Sequence, residues 1–448
     1  MKIITIGPWF SPHTVRPINW LLEQGHEVLF LGDGDPLPEA GKGYRFIPFP
    51  NRGDLPATVA ALREIRDRFR PDAVHVHWID LKAWLCVQAG LHPLVLSAWG
   101  SDINQFFLAG HDENLRRMIG ATLAGADLTI VDAPTMAQKC SLLAGRQIPT
   151  TFLHLGVDSG RFTPGYREEA LAWRQRLGIP ANATVFLSPR GWGESNGHHL
   201  ILEAFARALP AMGGNCVLLF KIFNRVSFGD HLQYETELKR RVSELGIAGQ
   251  VRWMEEVSAE LLPQVFALSD IVVNYPSRDT LPITLAESAA CGRSAISVML
   301  PSYRGTFVEH HFRTFLPGDE EELARAMVEL AAQPPQQRLA AALAAREEVR
   351  ATLDEGIYRQ GLPGLYAGLS VREEAPAAPR IPAQEGAASP EPSATPYLDR
   401  AYRFFTSGDL AACAREVELE LRVHPDSSDA LTLAKSVRLM SLKGQSKN

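Results

Sequence analysis

Short apolar runs alternate with helix-patterned segments along most of this chain, and that alternation constrains its fold more than any other feature. Lys2–Ile6, Val28–Leu31, a run near Tyr44–Pro48, Ala73–His77, Leu94–Ala98, Leu128–Val131 and Thr151–His154 each have the length and apolarity of a buried strand. Between them, Ile18–Gln24, Leu55–Phe69, Leu81–Leu91, Asn114–Ala124 and Thr135–Leu143 read as helices. The second half repeats the order. Strands are expected at Thr184–Ser188, Cys216–Phe223, Val251–Met254, Ile271–Val273 and Ser294–Val298. Helices are expected at His199–Ala208, Tyr234–Leu245, Ala259–Leu268 and from Glu320 to about Leu369. Strands alternating with helices build parallel sheets covered on both faces. A chain of 448 residues is too long for one core. The expected class is therefore α/β, with two doubly wound Rossmann-like domains at 1–158 and 159–372.

The C-terminal region differs. Glu373–Pro396 mixes Pro, Ala, Ser and Glu without periodicity, the composition of a flexible linker at 373–396. Tyr397–Leu439 is again helical, and Ala401, Gly408-Asp409, Ala414, Pro425 and Ala430 approximate one tetratricopeptide unit of ~34 residues. One such unit cannot bury its own face, so 397–448 is expected to dock on the α/β body, a second copy or a partner protein.

Composition narrows the function classes. Hydrophobic residues make up 46% and charged residues 21%, as in a soluble globular protein, and the net charge of −6 argues against a general attraction to nucleic acid. Arg63, Arg66, Arg68, Arg70 and Lys239-Arg240-Arg241 read as solvated helix faces, with anionic lipid contact as the lesser reading. Five scattered cysteines without a CxxC favour a reduced, cytoplasmic setting. No apolar run reaches the ~18 residues of a membrane span. Met1-Lys2 leads straight into a strand rather than a signal peptide.

The chemistry concentrates in Ser269–Gly292. An apolar run, Ile271–Val273, is followed by the turn formers Pro276–Asp279 and then by a helix signature. Thr280 is a capping-type residue, Pro282 suits a first turn, and Gly292 closes the helix Ile283–Ala290. The helix N-terminus thus opens at the carboxyl end of a strand, where open α/β sheets bind ligands, and its N–H groups suit a phosphate. Asp279 and Glu287 lie at most ~12 Å apart along such a helix. A nucleotide diphosphate-sugar fits that span, with its phosphates beside Thr280, Leu281 and Pro282, its ribose at Glu287 and its sugar hydroxyls at Asp279. Diphosphate also needs cationic donors. Arg190 follows the strand Thr184–Ser188 and Lys221 lies in the next one, so the two are expected to clamp it, with Asn196 nearby. In the N-terminal half the first turn is GPWFSPHT rather than GxGxxG, which argues against a dinucleotide dehydrogenase. His75 and His77 share one strand face but have no further metal ligands nearby in sequence, so a structural or cleft-lining role is preferred.

These residues carry a family resemblance. Pro276-Ser277, Asp279, Glu287 and Ala289-Ala290-Cys291-Gly292 resemble the acid, seven residues, acid element of retaining GT-B-fold glycosyltransferases of family 4. Asp279 stands where Glu is usual, and resembles a variant in which Asp, then Thr and Pro, precede a Thr-Leu-x-Glu stretch. Gly25-His26-Glu27-Val28, Gly100-Ser101-Asp102-Ile103, Gly156-Val157-Asp158 and Phe162-Thr163-Pro164 resemble other family elements. Two positions depart from the pattern: Trp99 replaces a frequent histidine, and Asn196-Gly197 replaces Lys-Gly. The resemblance implies two domains facing across a cleft, with the donor on the second. It implies that Asp279, Arg190, Lys221 and Asp102 serve catalysis. Gly7 would let the backbone approach sugar or phosphate, and Ser11, His13, Thr14, His77 and Asp102 would line the acceptor side. The activity implied is retaining transfer of a hexosyl unit from a nucleotide diphosphate-sugar to a glycan, lipid-linked or protein acceptor, in cell-surface polysaccharide or glycoconjugate synthesis. No metal or other cofactor is expected, and the setting is cytoplasmic, with peripheral contact at the inner membrane face. Asp33-Gly34-Asp35 matches the metal-binding DxD of the other glycosyltransferase fold, but its Gly/Pro context favours a plain turn. The alternatives are a nucleotide-sugar epimerase of the same fold, or a catalytically weak scaffold acting through the C-terminal helices.

Overall fold

The computed structural model describes residues 1–8, 11–32, 43–50, 54–107, 112–221, 231–369 and 410–423. The described chain forms two units. Met1–Leu155 groups with the residues from Gly356 to Leu369, and Gly156–Glu355 groups with the helix Leu410–Val423.

The first unit is built on a seven-stranded sheet, parallel throughout, of β1 (Lys2–Gly7), β2 (Glu27–Gly32), β3 (Arg45–Pro48), β4 (Ala73–His77), β5 (Leu94–Ser97), β6 (Leu128–Val131) and β7 (Thr150–Phe152). Helices on both faces explain why Ile4, Ile6, Val74, Val76, Leu94 and Leu96 are all buried, since a parallel sheet leaves neither face to water. The strand order β3-β2-β1-β4-β5-β6-β7 reverses between β1 and β4. Their carboxyl ends, at Gly7 and His77, flank the point where such sheets bind ligands.

The second unit carries a six-stranded parallel sheet of β8 (Thr184–Ser188), β9 (Cys216–Lys221), β10 (Val251–Met254), β11 (Ile271–Asn274), β12 (Ser294–Val298) and β13 (Arg313–Phe315). Its order, β10-β9-β8-β11-β12-β13, reverses between β8 and β11. Phe186, Phe205, Phe220, Phe266 and Tyr303 fill its core.

Several expectations are corrected here. The helix expected from Ile18 runs over Pro12–Glu23, because Ser11 caps it and Pro12 occupies a first-turn site that needs no N–H. The segment expected as the single helix Ala259–Leu268 is a 3₁₀ turn, Ala259–Leu261, followed by the helix Leu262–Leu268. The helix Arg167–Arg176 and strand β13 were not expected. The second domain was expected to run to 372, yet the helix Glu355–Gly368 packs against the first sheet. Its Tyr366 hydroxyl lies 2.7 Å from Nδ1 of buried His75, and Gln24 Nε2 donates to the Arg359 carbonyl at 2.9 Å. Arg63 and Arg66 donate to the carbonyls of Gln88, Ala89 and Gly90, which end the helix Leu81–Gln88, and so act as a C-terminal cap beyond simple solvation. Arg240 and Arg241 are paired with Glu237, Glu244 and Glu203. Asp33-Gly34-Asp35, the linker 373–396 and all of 397–448 except Leu410–Val423 lie outside the described residues. Among the described residues, no helix is long and apolar enough to cross a membrane.

Candidate functional site

β8 ends at Ser188, and the chain turns through Pro189 to Arg190 at the carboxyl edge of the sheet. β11 ends next to it, and its loop returns Asp279 to the same place. Arg190 Nη1 lies 2.5 Å from Asp279 Oδ2 and 3.4 Å from Asn274 Oδ1, while its Nε donates to Asn196 Oδ1 at 2.9 Å. Asn196 in turn donates to the Gly191 carbonyl at 2.8 Å. The residue standing where a lysine is usual therefore aims the arginine rather than supplying a second cation. Both ionic side chains are less than a fifth exposed. Burial opposes the charge of Arg190, but the Asp279 carboxylate more than offsets this and holds its pKa above the ordinary arginine range.

Asp279 is itself fixed by three further bonds. Its Oδ1 accepts the Thr280 N–H at 2.9 Å, its Oδ2 accepts the Tyr303 hydroxyl at 3.0 Å, and its carbonyl accepts the Ser302 hydroxyl at 3.0 Å. Tyr303 is fully buried, and burial beside the carboxylate keeps its phenol protonated, so it donates. Asn274 Nδ2 donates to Ser297 at 3.0 Å, which ties the ends of β11 and β12 to the same network. Sequence reasoning missed Tyr303, Ser302 and Asn274. Asn274 left a faint signal, as a polar residue closing an apolar strand; Tyr303 left none. Phenylalanine at Tyr303 removes one charge-assisted bond and little volume. It is expected to lower turnover about tenfold, ~1.4 kcal/mol, with nucleotide affinity unchanged; equal turnover would remove Tyr303 from the site.

The helix Ile283–Ala290 starts at this edge with Pro282 in the cap position and no side-chain cap. This corrects the expectation that Thr280 caps it and Pro282 lies in its first turn. The residue before the helix has no side-chain oxygen to accept from the first N–H groups, so these amides keep their capacity for an anion. Thr280, Leu281 and Pro282 are buried beneath the edge, and Glu287 is half-buried one turn into the helix. Lys221, the last residue of β9, is 4% exposed. Burial lowers its pKa, while Glu287 and Glu256 act in the opposite sense, so it lies in the field of the helix carboxylate. The structure thus pairs Arg190 with Asp279 and sets Lys221 within the field of Glu287.

In the first unit, Gly7 ends β1 against Thr14 and His77. A Cβ at Gly7 would lie 2.9 Å from Thr14 Oγ1 and 3.0 Å from His77 Cβ, so no side chain fits there. Ser11 accepts the His13 N–H at 3.2 Å as the helix cap, which puts His13 and Thr14 in the first turn. Burial, reinforced by Arg16 and His154, pushes the His13 pKa down to about 4, and burial drives His77 well below the usual imidazole value. His75 stacks on His77 at 4.0 Å and lies 2.7 Å from both Tyr366 and Ser97, a structural arrangement. Asp102 is 0% exposed, and its oxygens accept the N–H groups of Ile79 at 3.1 Å and Trp99 at 3.0 Å. Burial raises its pKa to about 6 although these amides favour the anion. A carboxylate so enclosed ties together the loops that follow β4 and β5.

Residues 2–133 match the family model described as Glycosyl transferase 4-like, and residues 170–348 match that described as Glycosyl transferases group 1. The D-inositol 3-phosphate glycosyltransferase of Geodermatophilus obscurus is 30% identical over 278 residues, covering 57% of this chain and 60% of that protein. The GDP-mannose-dependent monoacylated alpha-(1-6)-phosphatidylinositol monomannoside mannosyltransferase of Corynebacterium glutamicum is 24% identical over 315 residues, covering 68% and 77%. The chain thus spans about 60% of the length of the first of these relatives. Among solved structures, Anabaena Alr3699/HepE in complex with UDP-glucose aligns with a TM-score of 0.68 at 19% identity, over 82% of this chain and 100% of that one. Sucrose-phosphate synthase from Thermosynechococcus elongatus aligns at 0.67 and 18% identity, over 82% and 99%. These likenesses establish the GT-B type of fold: two Rossmann-like α/β domains with parallel sheets.

Proposed function

We propose that this chain, whose two units match the glycosyl transferase 4-like and group 1 models, moves a hexosyl unit with retention from a nucleotide diphosphate-sugar to an acceptor. The observation that carries this reading is the meeting of Arg190 and Asp279 at the reversal point of the second sheet, beside a helix N-terminus with no side-chain cap. Arg190, Lys221 and the helix amides would take the diphosphate and stabilise its charge as it leaves. Asp279 has lone pairs left for a sugar hydroxyl, and Glu287 would hold the ribose. Under this reading the positive charge comes from the protein, and a resident metal is not required. The names of the similar proteins, which act on inositol phosphate or lipid-linked inositol mannoside or bind UDP-glucose, support a nucleotide-sugar donor. The acceptor would be a glycan or lipid-linked glycan in glycoconjugate synthesis, in a cytoplasmic setting that suits the buried free thiols of Cys86, Cys140, Cys216 and Cys291.

The test is a donor screen. UDP-, GDP- and ADP-sugars are each incubated with the protein, and released nucleotide is measured. Slow release from one donor class is expected, and neither release nor binding for any donor would overturn the reading. Within it, Glu287→Gln is expected to weaken donor affinity by about 1–3 kcal/mol in calorimetry, the usual loss for a charged hydrogen bond. Unchanged affinity would remove the ribose assignment.

A further inference from the structure

The loops that follow β4 and β5 in the first unit each carry a tryptophan, and neither belongs to the residues considered so far for binding. Trp78 and Trp99 are both half-buried, with ring centroids 5.8 Å apart and planes at 80°. The His13 ring lies 4.8 Å from that of Trp99, and the His77 ring lies 6.0 Å from it. Four rings therefore gather at the carboxyl edge of β1, β4 and β5, where the strand order reverses and such sheets take ligands.

The backbone holds this cluster at a cost. Trp78 has φ of 80°, a left-handed conformation that a bulky residue seldom adopts. Such strain persists only where the surroundings enforce it, and it concentrates at functional sites. The enforcing group here is Asp102. Its carboxylate takes the N–H of Ile79, the residue after Trp78, and the N–H of Trp99 itself, while the Trp78 N–H donates to the Ser97 carbonyl at 3.3 Å. One buried carboxylate thus locks both tryptophan loops, which gives Asp102 a purpose that its depth denies it as a catalyst.

We propose that Trp78 and Trp99, with His13 and His77 beside them, form a saccharide platform on which a pyranose ring of the acceptor stacks; this rests on the glycosyl-transfer reading. A pyranose offers an apolar C–H face to an aromatic ring and hydroxyls at its edge to neutral hydrogen-bonding groups. Burial lowers the pKa of both imidazoles and so favours their neutral, hydrogen-bonding forms, which suit hydroxyls, and Arg16 acts on His13 in the same sense. His77 adds a buried Nε2 with no hydrogen-bond partner among the described residues.

The test uses the full chain and ligand-detected NMR with methyl mannopyranoside, maltose and cellobiose as neutral probes and inositol 1-phosphate as the charged one. Wild type is expected to bind at least one neutral probe. Trp99→Ala should weaken that binding at least tenfold, Trp99→Phe should retain most of it, and Trp78→Gly, which relieves the φ strain, should also lose it. UDP and GDP binding should be the same in all three variants as in wild type. Pyranoside binding that survives both Trp99→Ala and Trp78→Gly would overturn the platform, as would binding of inositol 1-phosphate alone or of no probe. Failure of the transfer reading would appear separately, as absence of nucleotide binding in the wild type.

Discussion

Alanine in place of Arg190 is expected to abolish most transfer, by about a hundred- to a thousandfold, the usual loss when one preorganised donor to developing charge is removed. Stability should fall with it. The Asp279 side chain is only 16% exposed, and without its partner it becomes a nearly buried unpaired carboxylate, at a cost of about 3–5 kcal/mol. Arg190→Lys should rescue only part of the activity, because an ammonium cannot reach Asn196 and Asp279 in the planar fork that arginine uses. The double variant Arg190→Ala/Asp279→Ala separates the two effects. It should recover stability relative to either single change, because no charge is stranded, and should recover no activity. Thermal melts together with a nucleotide-release assay read both quantities. An active Arg190→Ala protein would show that the cation is elsewhere.

Gly197→Ala is expected to cost about as much by a different route. Gly197 has φ of 67° and caps the helix His198–Ala208, and a Cβ there would lie 2.3 Å from the Tyr275 carbonyl oxygen. The left-handed backbone alone costs about 1–2 kcal/mol for a residue with a side chain. The collision is with backbone, which no rotamer relieves. The loop before Gly197 is tied to the loop after β11 through the Ser277 N–H, which donates to the Ser195 carbonyl at 2.7 Å. Pushing these loops apart moves Asn196 and so releases Arg190 from its aim. We expect a loss of about 2–4 kcal/mol in unfolding experiments, and a fall in donor binding that exceeds what Asn196→Ala causes. A variant as stable as wild type would mean that the two loops are not packed as described.

Much of the fold was legible because both sheets are parallel. Strands covered on both faces are largely apolar, and Ala73–His77, Leu128–Val131, Thr184–Ser188, Val251–Met254 and Ser294–Val298 fall where the apolar runs put them. Prolines hid the helix Pro12–Glu23, because Pro12 at a first-turn site and Pro17 inside the helix both read as breakers. The return of the helix Glu355–Gly368 to the first unit was not legible, since nothing local distinguishes it from the helices before it. Its Tyr366 is recognised only through His75, 291 residues away. The site was legible as residues and not as partners. Arg190, Asp279 and Glu287 stand out by type and position, but Arg190 and Asp279 are 89 residues apart, and their ion pair is a product of topology. Tyr303 ends a short 3₁₀ turn, Pro301–Tyr303, after β12 with no periodicity to announce it, although it is among the largest fully buried side chains of the described residues. Asp102 was legible as a loop carboxylate; that it faces two backbone amides needed the coordinates.

The central claim is that the carboxyl edge between β8 and β11 receives the donor. The most direct measurement is a crystal structure of the chain with the nucleotide diphosphate released in the donor screen. Its phosphates are expected within hydrogen-bond reach of Arg190 and of the first amides of the helix Ile283–Ala290, with its ribose against Glu287. A nucleotide bound instead at the carboxyl edge of β1 and β4, or one whose phosphates touch neither Arg190 nor that helix, would contradict it.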